Sequence, residues 1–181
     1  MKQAHNLTTR FPIESDFGPE NVRRLCDLIN AVYDDAESGM WRRAGVRTHA
    51  AEVESLLRAG ALILAEIDGV VVGSVNIKLM DNGIGEFGML VADPSHRGKR
   101  IGSALVDGAE RWAREHACHT MQLELLTPRH WTHPAKEFLR LWYSRIGYTP
   151  QKTEPFESMY PQLVPELATE CDFTLWYKRL V

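Results

Sequence analysis

Two runs rich in β-branched and apolar residues, Ala61–Ile67 and Val70–Met80, are separated by the dipeptide Asp68-Gly69. Both central residues of a tight hairpin turn need positive φ, and Asp-Gly meets that need better than almost any other pair. The two runs are therefore expected to pair antiparallel, and a chain with such a hairpin must build a sheet and bury a face of it. Helical spacing flanks the hairpin. After Pro19, Leu25, Leu28, Ile29 and Val32 recur as one stripe, predicting a helix to about Tyr33. Val53, Leu56 and Leu57 belong to a second helix, which Thr48 is expected to cap and Gly60 to end.

Beyond the hairpin, Glu86–Ala92 and Thr120–Leu126 read as strands, with a helix between them carrying Ile101, Leu105, Gly108 and Trp112. Ala135–Arg145 reads as a helix ended by Gly147, residues 155–167 as a short helix or lid, and residues 171–180 as a late strand. A weak strand is expected around Leu7–Ile13. The order β, α, α, β, β, β, α, β, α, β, β predicts an α/β (α+β) fold: a mixed, mostly antiparallel central sheet of about seven strands with helices on both faces. No linker divides the chain, so residues 1–181 are expected to form one domain.

The overall charge excludes some partners. With 24 acidic against 21 basic residues the sum is −3, too little positive charge for a general grip on nucleic acid. No apolar run reaches the roughly 18–20 residues that span a bilayer, so no membrane partner is expected. The opening Met1–Asn6 lacks an apolar stretch, and Cys26, Cys118 and Cys171 are odd in number and widely spaced. They read as reduced, buried thiols of a cytoplasmic protein.

Residues 85–105, Gly-Glu-Phe-Gly-Met-Leu-Val-Ala-Asp-Pro-Ser-His-Arg-Gly-Lys-Arg-Ile-Gly-Ser-Ala-Leu, carry the most chemistry. A strand turns at Pro94 into a loop of Arg97, Gly98, Lys99 and Arg100, which feeds the first turn of a helix at Ile101, Gly102 and Ser103. Unpaired amides and the positive end of a helix dipole suit a phosphate, and the two glycines leave the backbone approachable. The spacing is not G-x-x-x-x-G-K-[ST], so a triphosphate held with magnesium is not expected.

The pattern Pro94-x-x-Arg97-Gly98-x-x-Ile101-Gly102, ending a strand and opening a helix, resembles motif A of the GNAT superfamily of acetyl-CoA-dependent N-acetyltransferases. Trp142-Tyr143-Ser144-Arg145-Ile146-Gly147-Tyr148 is similar to the family's late Tyr-x-x-x-Gly-aromatic signature, and the element order over residues 17–180 matches as well. Arg100 stands where the family often has glycine, so the backbone there is expected to stay in a conformation open to any residue. Lys136 and Leu139 replace a frequent Asn and Ala.

The resemblance implies a sheet whose fourth and fifth strands splay at a bulge, with acetyl-CoA as co-substrate between them. Leu90, Val91 and Ala92 would hold the pantetheine arm, Leu90's amide would meet the thioester oxygen, and the amides from Arg97 to Ser103 would cradle the pyrophosphate. Glu86 is the implied general base and Tyr143 the implied general acid. A carboxylate is a weak base toward an amine, so an intervening water or partial burial is expected. By period two, Glu86, Gly88, Leu90 and Ala92 are expected to share one face.

The acceptor side is read from Tyr33, Asp34, Asp35, Glu37 and Trp41, where acid and aromatic suit a cationic amine, and from Arg42 and Arg47, which suit a carboxylate. For Asp34, Asp35 and Glu37 a solvated helix end is the favoured alternative. Glu124, which shares a face with Gln122, and His130 and Trp131 in the loop before the late helix complete the candidates. His116-x-x-His119 and His130-x-x-His133 match no metal-ligand spacing, so no metal is expected. The expected function is acetyl transfer to a small amine. A peptide amine, or a module that binds acyl-CoA without turnover, is the alternative, and a homodimer is compatible with the family.

Overall fold

The computed structural model describes residues 6–43 and 46–181. Seven strands form one sheet: β1 (Leu7–Arg10), β2 (Leu62–Ile67), β3 (Val70–Met80), β4 (Ile84–Ala92), β5 (Thr120–Pro128), β6 (Thr149–Pro155) and β7 (Cys171–Arg179). Their order is β1-β2-β3-β4-β5-β7-β6, with every neighbouring pair antiparallel except β4 and β5. The helices are α1 (Pro19–Ala36), α2 (Ala50–Arg58), α3 (Ile101–Glu115), α4 (Pro134–Arg145) and the short α5 (Phe156–Met159).

The β2–β3 hairpin turns as its sequence dictates, with Asp68 at φ +51° and Gly69 at +81°. Facing sides of the sheet then bury different helices. Val75, Ile77, Phe87, Met121, Leu123 and Leu125 pack against Ile101, Leu105 and Ala109 of α3, together with Tyr143 of α4. On the other face Leu62, Leu64, Met89 and Val91 pack against Val22, Leu25 and Ile29 of α1 and Val53 and Leu57 of α2. Gly73 lets α3 lie close: a Cβ there would stand 2.6 Å from Val91 O and 2.9 Å from Ile101 Cγ2. A third cluster joins Met40, Leu126, Phe156, Leu167 and Cys171 beneath the segment that follows β6. All three cysteines are free and buried.

Two helix ends differ from their sequence-based expectation. The first helix continues to Ala36, one turn past its apolar stripe, because Glu37 N–H still reaches Tyr33 O at 2.9 Å. Thr48 does not cap the second helix; His49 is its N-cap. The Thr48 hydroxyl instead donates to Glu52 at 2.7 Å, and its main-chain amide and carbonyl are taken by Asn30 at 3.0 Å each. These contacts fasten the start of α2 to the middle of α1.

Candidate active site

The parallel pairing of β4 with β5 is short. Ile84, Gly85 and Glu86 lie opposite Thr120, Met121 and Gln122, and there the ladder stops. From Phe87 to Ala92, β4 has β3 on one side and no strand on the other. At the fork a side-chain contact replaces the ladder: Gln122 Nε2 donates to Glu86 Oε2 at 2.6 Å.

Past the fork β4 carries a bulge. Gly88 lies opposite Asn76 and Val91 opposite Ser74, so β4 has one residue more than β3 over this stretch, and Met89 takes φ +46°. The extra residue reverses the alternation. Glu86 and Gly88 share a face with Met89 and Val91 toward α1 and α2, whereas Leu90 and Ala92 turn with Phe87 toward α3. This corrects the expectation that Glu86, Gly88, Leu90 and Ala92 lie on one face. Asp93 N–H bonds back to Val72 O at 2.8 Å, so strand alternation points the amides of Ala92 and Leu90 to the open side. Val91 sits opposite Ser74 with its side chain buried.

The loop after β4 is shaped by Asp93, whose Oδ1 accepts from Ser95 N at 2.8 Å and Ser95 Oγ at 2.6 Å, holding its carboxyl below the usual carboxylate range. Gly98 has φ +82°, and nothing lies within 4 Å of where its Cβ would be. The amides of Gly98, Arg100, Ile101, Gly102 and Ser103 meet no acceptor among the described residues; the first helical bond here runs from Ala104 N to Arg100 O. Five donors thus converge at the positive end of α3, beside Arg97, Lys99 and Arg100, an arrangement suited to a pyrophosphate. Arg100 departs from expectation. It takes the left-handed conformation, φ +60° and ψ +27°, at the N-cap of α3, which costs a non-glycine residue on the order of 1–2 kcal/mol. Gly102 faces Trp142, whose Cη2 lies 3.5 Å from the position of a Cβ.

Tyr143 approaches the fork from the α3 side. It is 5% exposed, with its ring 6.1 Å from both Phe87 and Tyr148. Its hydroxyl has no hydrogen-bond partner among the described residues, and burial together with Tyr33 on α1 pushes its ionisation well above the ordinary phenol range. Tyr33 packs on the opposite face of the sheet, so its effect on Tyr143 is exerted across the sheet.

The α1/α2 face of the fork is acidic. Lys78, Glu86, Gln122 and Glu124 share it by register. Glu124 Oε2 accepts from Tyr160 Oη at 3.1 Å, and burial, followed by the charge of Glu86, raises its pKa. Burial also raises Tyr33, whose ring lies 5.1 Å beneath the Arg47 guanidinium. Tyr160 was not among the sequence candidates; only its place in the lid segment pointed to it.

Other candidates lie elsewhere. Trp41 packs edge-on against Phe156 at 5.8 Å and donates to Glu37 at 2.7 Å. Glu37 is not a solvated helix end: it is 9% exposed and accepts from the still more buried Lys136 at 2.7 Å. His130 pairs with Glu170 at 2.7 Å, and Trp131 donates to Thr169 at 3.2 Å, so both fasten the loop before α4 to the one before β7. A separate depression of about 370 Å³ lies between α1 and the β2–β3 hairpin, lined in part by the Arg10–Asp16 ion pair and away from the fork. Among the described residues no group of three or more His, Cys, Asp or Glu is placed to hold a metal ion.

The sequence matches the model of the acetyltransferase (GNAT) family over residues 25–141. The chain belongs to this family. Solved structures share the family fold at low identity. A putative streptothricin acetyltransferase from Bacillus anthracis, in complex with acetyl coenzyme A, is 18% identical with a TM-score of 0.54, over 66% of this chain and 62% of that one. N-acetylglutamate synthase from Neisseria gonorrhoeae, complexed with coenzyme A and N-acetyl-glutamate, is 15% identical with a TM-score of 0.66, over 97% of this chain and 35% of that one. The chain thus spans less than two thirds of either protein. PaiA N-acetyltransferase from Thermoplasma acidophilum, in complex with coenzyme A, is 14% identical with a TM-score of 0.67, over 96% of this chain and 99% of that one. No curated protein matches the sequence. In this GNAT chain the family match includes the loop with the five open amides and ends two residues before Tyr143.

Proposed function

We propose that the protein transfers the acetyl group of acetyl-CoA to a primary amine by direct attack, with a small molecule as acceptor. The observation that carries this reading is the fork: an unpaired edge from Phe87 to Ala92 that leads, at one end, to five open amides and, at the other, to a phenol without a partner. The pyrophosphate of the coenzyme rests on the amides from Gly98 to Ser103, with Arg97, Lys99 and Arg100 alongside. The pantetheine arm pairs with the open edge as an added strand, through Leu90 and Ala92, and an amide there meets the thioester oxygen as negative charge develops on it.

The acceptor nitrogen, neutral when it attacks, bonds to the thioester carbon. The amine proton passes through water to Glu86, the C–S bond breaks, and the thiolate takes the Tyr143 proton. The phenol is protonated at neutral pH, so its proton is in place when the sulfur leaves; burial makes it a weaker donor, which is compensated only as charge develops on the sulfur beside it. Tyr143→Phe is expected to lower kcat by about 10²-fold or more while moving the KM for acetyl-CoA less than threefold, measured as coenzyme release with a mixed panel of amines. An unchanged kcat removes Tyr143 from the mechanism. Acetyl-CoA that binds without any release in the panel favours a binding module instead.

A further inference from the structure

A buried polar joint links α3 to the residues just past α4. Glu110 of α3, only 4% exposed, accepts from Tyr148 Oη at 2.9 Å and from Lys178 Nζ of β7 at 2.7 and 3.0 Å. Arg114, one turn further along α3, lies 3.5 Å from its second oxygen. Burying a carboxylate is costly unless partners occupy its oxygens. The place of the Tyr148 hydroxyl is therefore set by the ion pair.

Tyr148 is in turn fastened to Tyr143 twice. Its main-chain N–H donates to Tyr143 O at 2.9 Å, just past Gly147, whose φ of +96° turns the chain back. A Cβ at Gly147 would stand 3.5 Å from Lys178 Cε, so the turn lies against the stem of the same lysine. The Tyr148 ring also meets the Phe87 ring edge-on at 5.7 Å and the Tyr143 ring edge-on at 6.1 Å. Phe87 and Tyr143 lie 6.1 Å apart, so the three rings close a triangle on the α3 side of β4. Edge-to-face contacts tolerate a range of tilts, whereas a hydrogen bond to a buried, ion-paired carboxylate tolerates few. The corner at Tyr148 thus fixes the triangle.

Resting on the acyl-transfer reading, we infer that Glu110 and Tyr148 are positioning residues for Tyr143: the bond from Tyr148 Oη to Glu110 locks the ring triangle and sets where the Tyr143 phenol stands as the thiolate leaves. Both act through Tyr143. The joint serves α3 as well as α4. On the same reading α3 begins with the amides that receive the pyrophosphate, so a carboxylate of that helix registers the phenol against the helix that holds the coenzyme. Proton transfer tolerates little misplacement of donor and acceptor, and an error near 1 Å can cost about 10²-fold in rate.

The test uses Tyr148→Phe, which keeps the ring and removes the bond, and Glu110→Gln, which keeps an oxygen to accept from Tyr148 but loses the ion pair with Lys178. Tyr148→Phe is expected to lower kcat for coenzyme release about tenfold or more, while moving the KM for acetyl-CoA less than threefold. Glu110→Gln should keep kcat within about threefold, yet unfold at lower urea than Tyr148→Phe because it gives up a buried ion pair. A merely structural role makes activity follow stability, so this reversed order is the deciding readout. In a Tyr143→Phe background, Tyr148→Phe should cost less than about twofold in kcat, since the group it positions is gone. Activity that follows stability, or a Tyr148→Phe loss undiminished in that background, overturns the joint and leaves the acyl-transfer reading standing. Bound acetyl-CoA that is never cleaved, or Tyr143→Phe without effect, overturns that reading, and the positioning role with it.

Discussion

Lys136 and Glu37 form an ion pair of 2.7 Å with side-chain exposures of only 6% and 9%, and Trp41 Nε1 donates to the same carboxylate at 2.7 Å. The pair joins the first turn of α4 to the end of α1 across 99 residues of chain. Lys136→Met removes the cation but keeps most of the stem's bulk, leaving a buried carboxylate with one neutral donor. Breaking a buried pair in this way costs about 3–5 kcal/mol, because the remaining charge keeps its desolvation penalty and loses its compensation. For a domain of this size each kcal/mol moves Tm by roughly 2–4 °C, so a fall of about 6–20 °C is expected. Glu37→Gln added to Lys136→Met removes the stranded charge while its amide oxygen still accepts from Trp41. The double variant should therefore recover at least about 2 kcal/mol of the loss, a coupling energy that urea melts followed by circular dichroism resolve. A single variant within 1 kcal/mol of the parent, or a double variant that loses the sum of the two, refutes the reasoning.

Three other substitutions probe different parts of the fold. Gly73→Ala places a Cβ 2.6 Å from the Val91 carbonyl and 2.9 Å from Ile101, so it should cost about 2 kcal/mol or more in a urea melt as α3 is pushed from the sheet; an unchanged midpoint contradicts the close approach. Arg100→Gly relieves a left-handed residue and should leave stability equal or improved by up to about 1 kcal/mol, while coenzyme affinity falls more at low salt than at high; loss of stability would mean that the side chain holds the loop. Glu124 has its pKa raised by burial, so its charge penalises the fold once pH rises above the ordinary carboxylate range and not below it. Glu124→Gln should accordingly raise the urea midpoint at pH 7.5 and lose that advantage near pH 4; a gain independent of pH would point to packing rather than charge.

The strands and helices were legible because each rests on a local rule. Asp68-Gly69 marks the hairpin, the stripes through Leu25 and Ile101 mark helices, and Pro94 to Gly102 marks the turn from β4 into α3. What remained hidden depends on partners far away in sequence. A bulge is one residue's excess relative to the facing strand, so the reversal of faces at Met89 cannot be seen in β4 alone. Glu37 looks like any acid at a helix end until Lys136 arrives from α4. Tyr160 lies in a segment with no strong periodicity, and its bond to Glu124 needs the lid to fold over β5. Thr48 followed a local capping rule and lost to Asn30, whose side chain takes both of its main-chain polar groups.

The fork also explains why the site lies where it does. A buried or half-buried strand edge normally finds partners for its amides and carbonyls, and Phe87–Ala92 finds them on one side only. β5 pairs with β4 only as far as Gln122 and then diverges from it, while its other edge stays paired with β7 from Thr120 opposite Arg179 to Pro128 opposite Cys171. The bulge at Met89 increases the divergence, and the Gln122–Glu86 bond seals the point where the strands separate. The open polar edge thus follows from the divergence of β4 and β5, and a ligand able to act as a strand can complete it. The amides at the start of α3 continue the same edge, because the loop from Asp93 to Arg100 turns the chain without using them. A coenzyme with a diphosphate at one end, an amide-bearing arm in the middle and a thioester at the other satisfies all three stretches in order. On the proposed reading that order brings the thioester to the fork, with Tyr143 packed on the α3 side and Glu86 and Glu124 on the other.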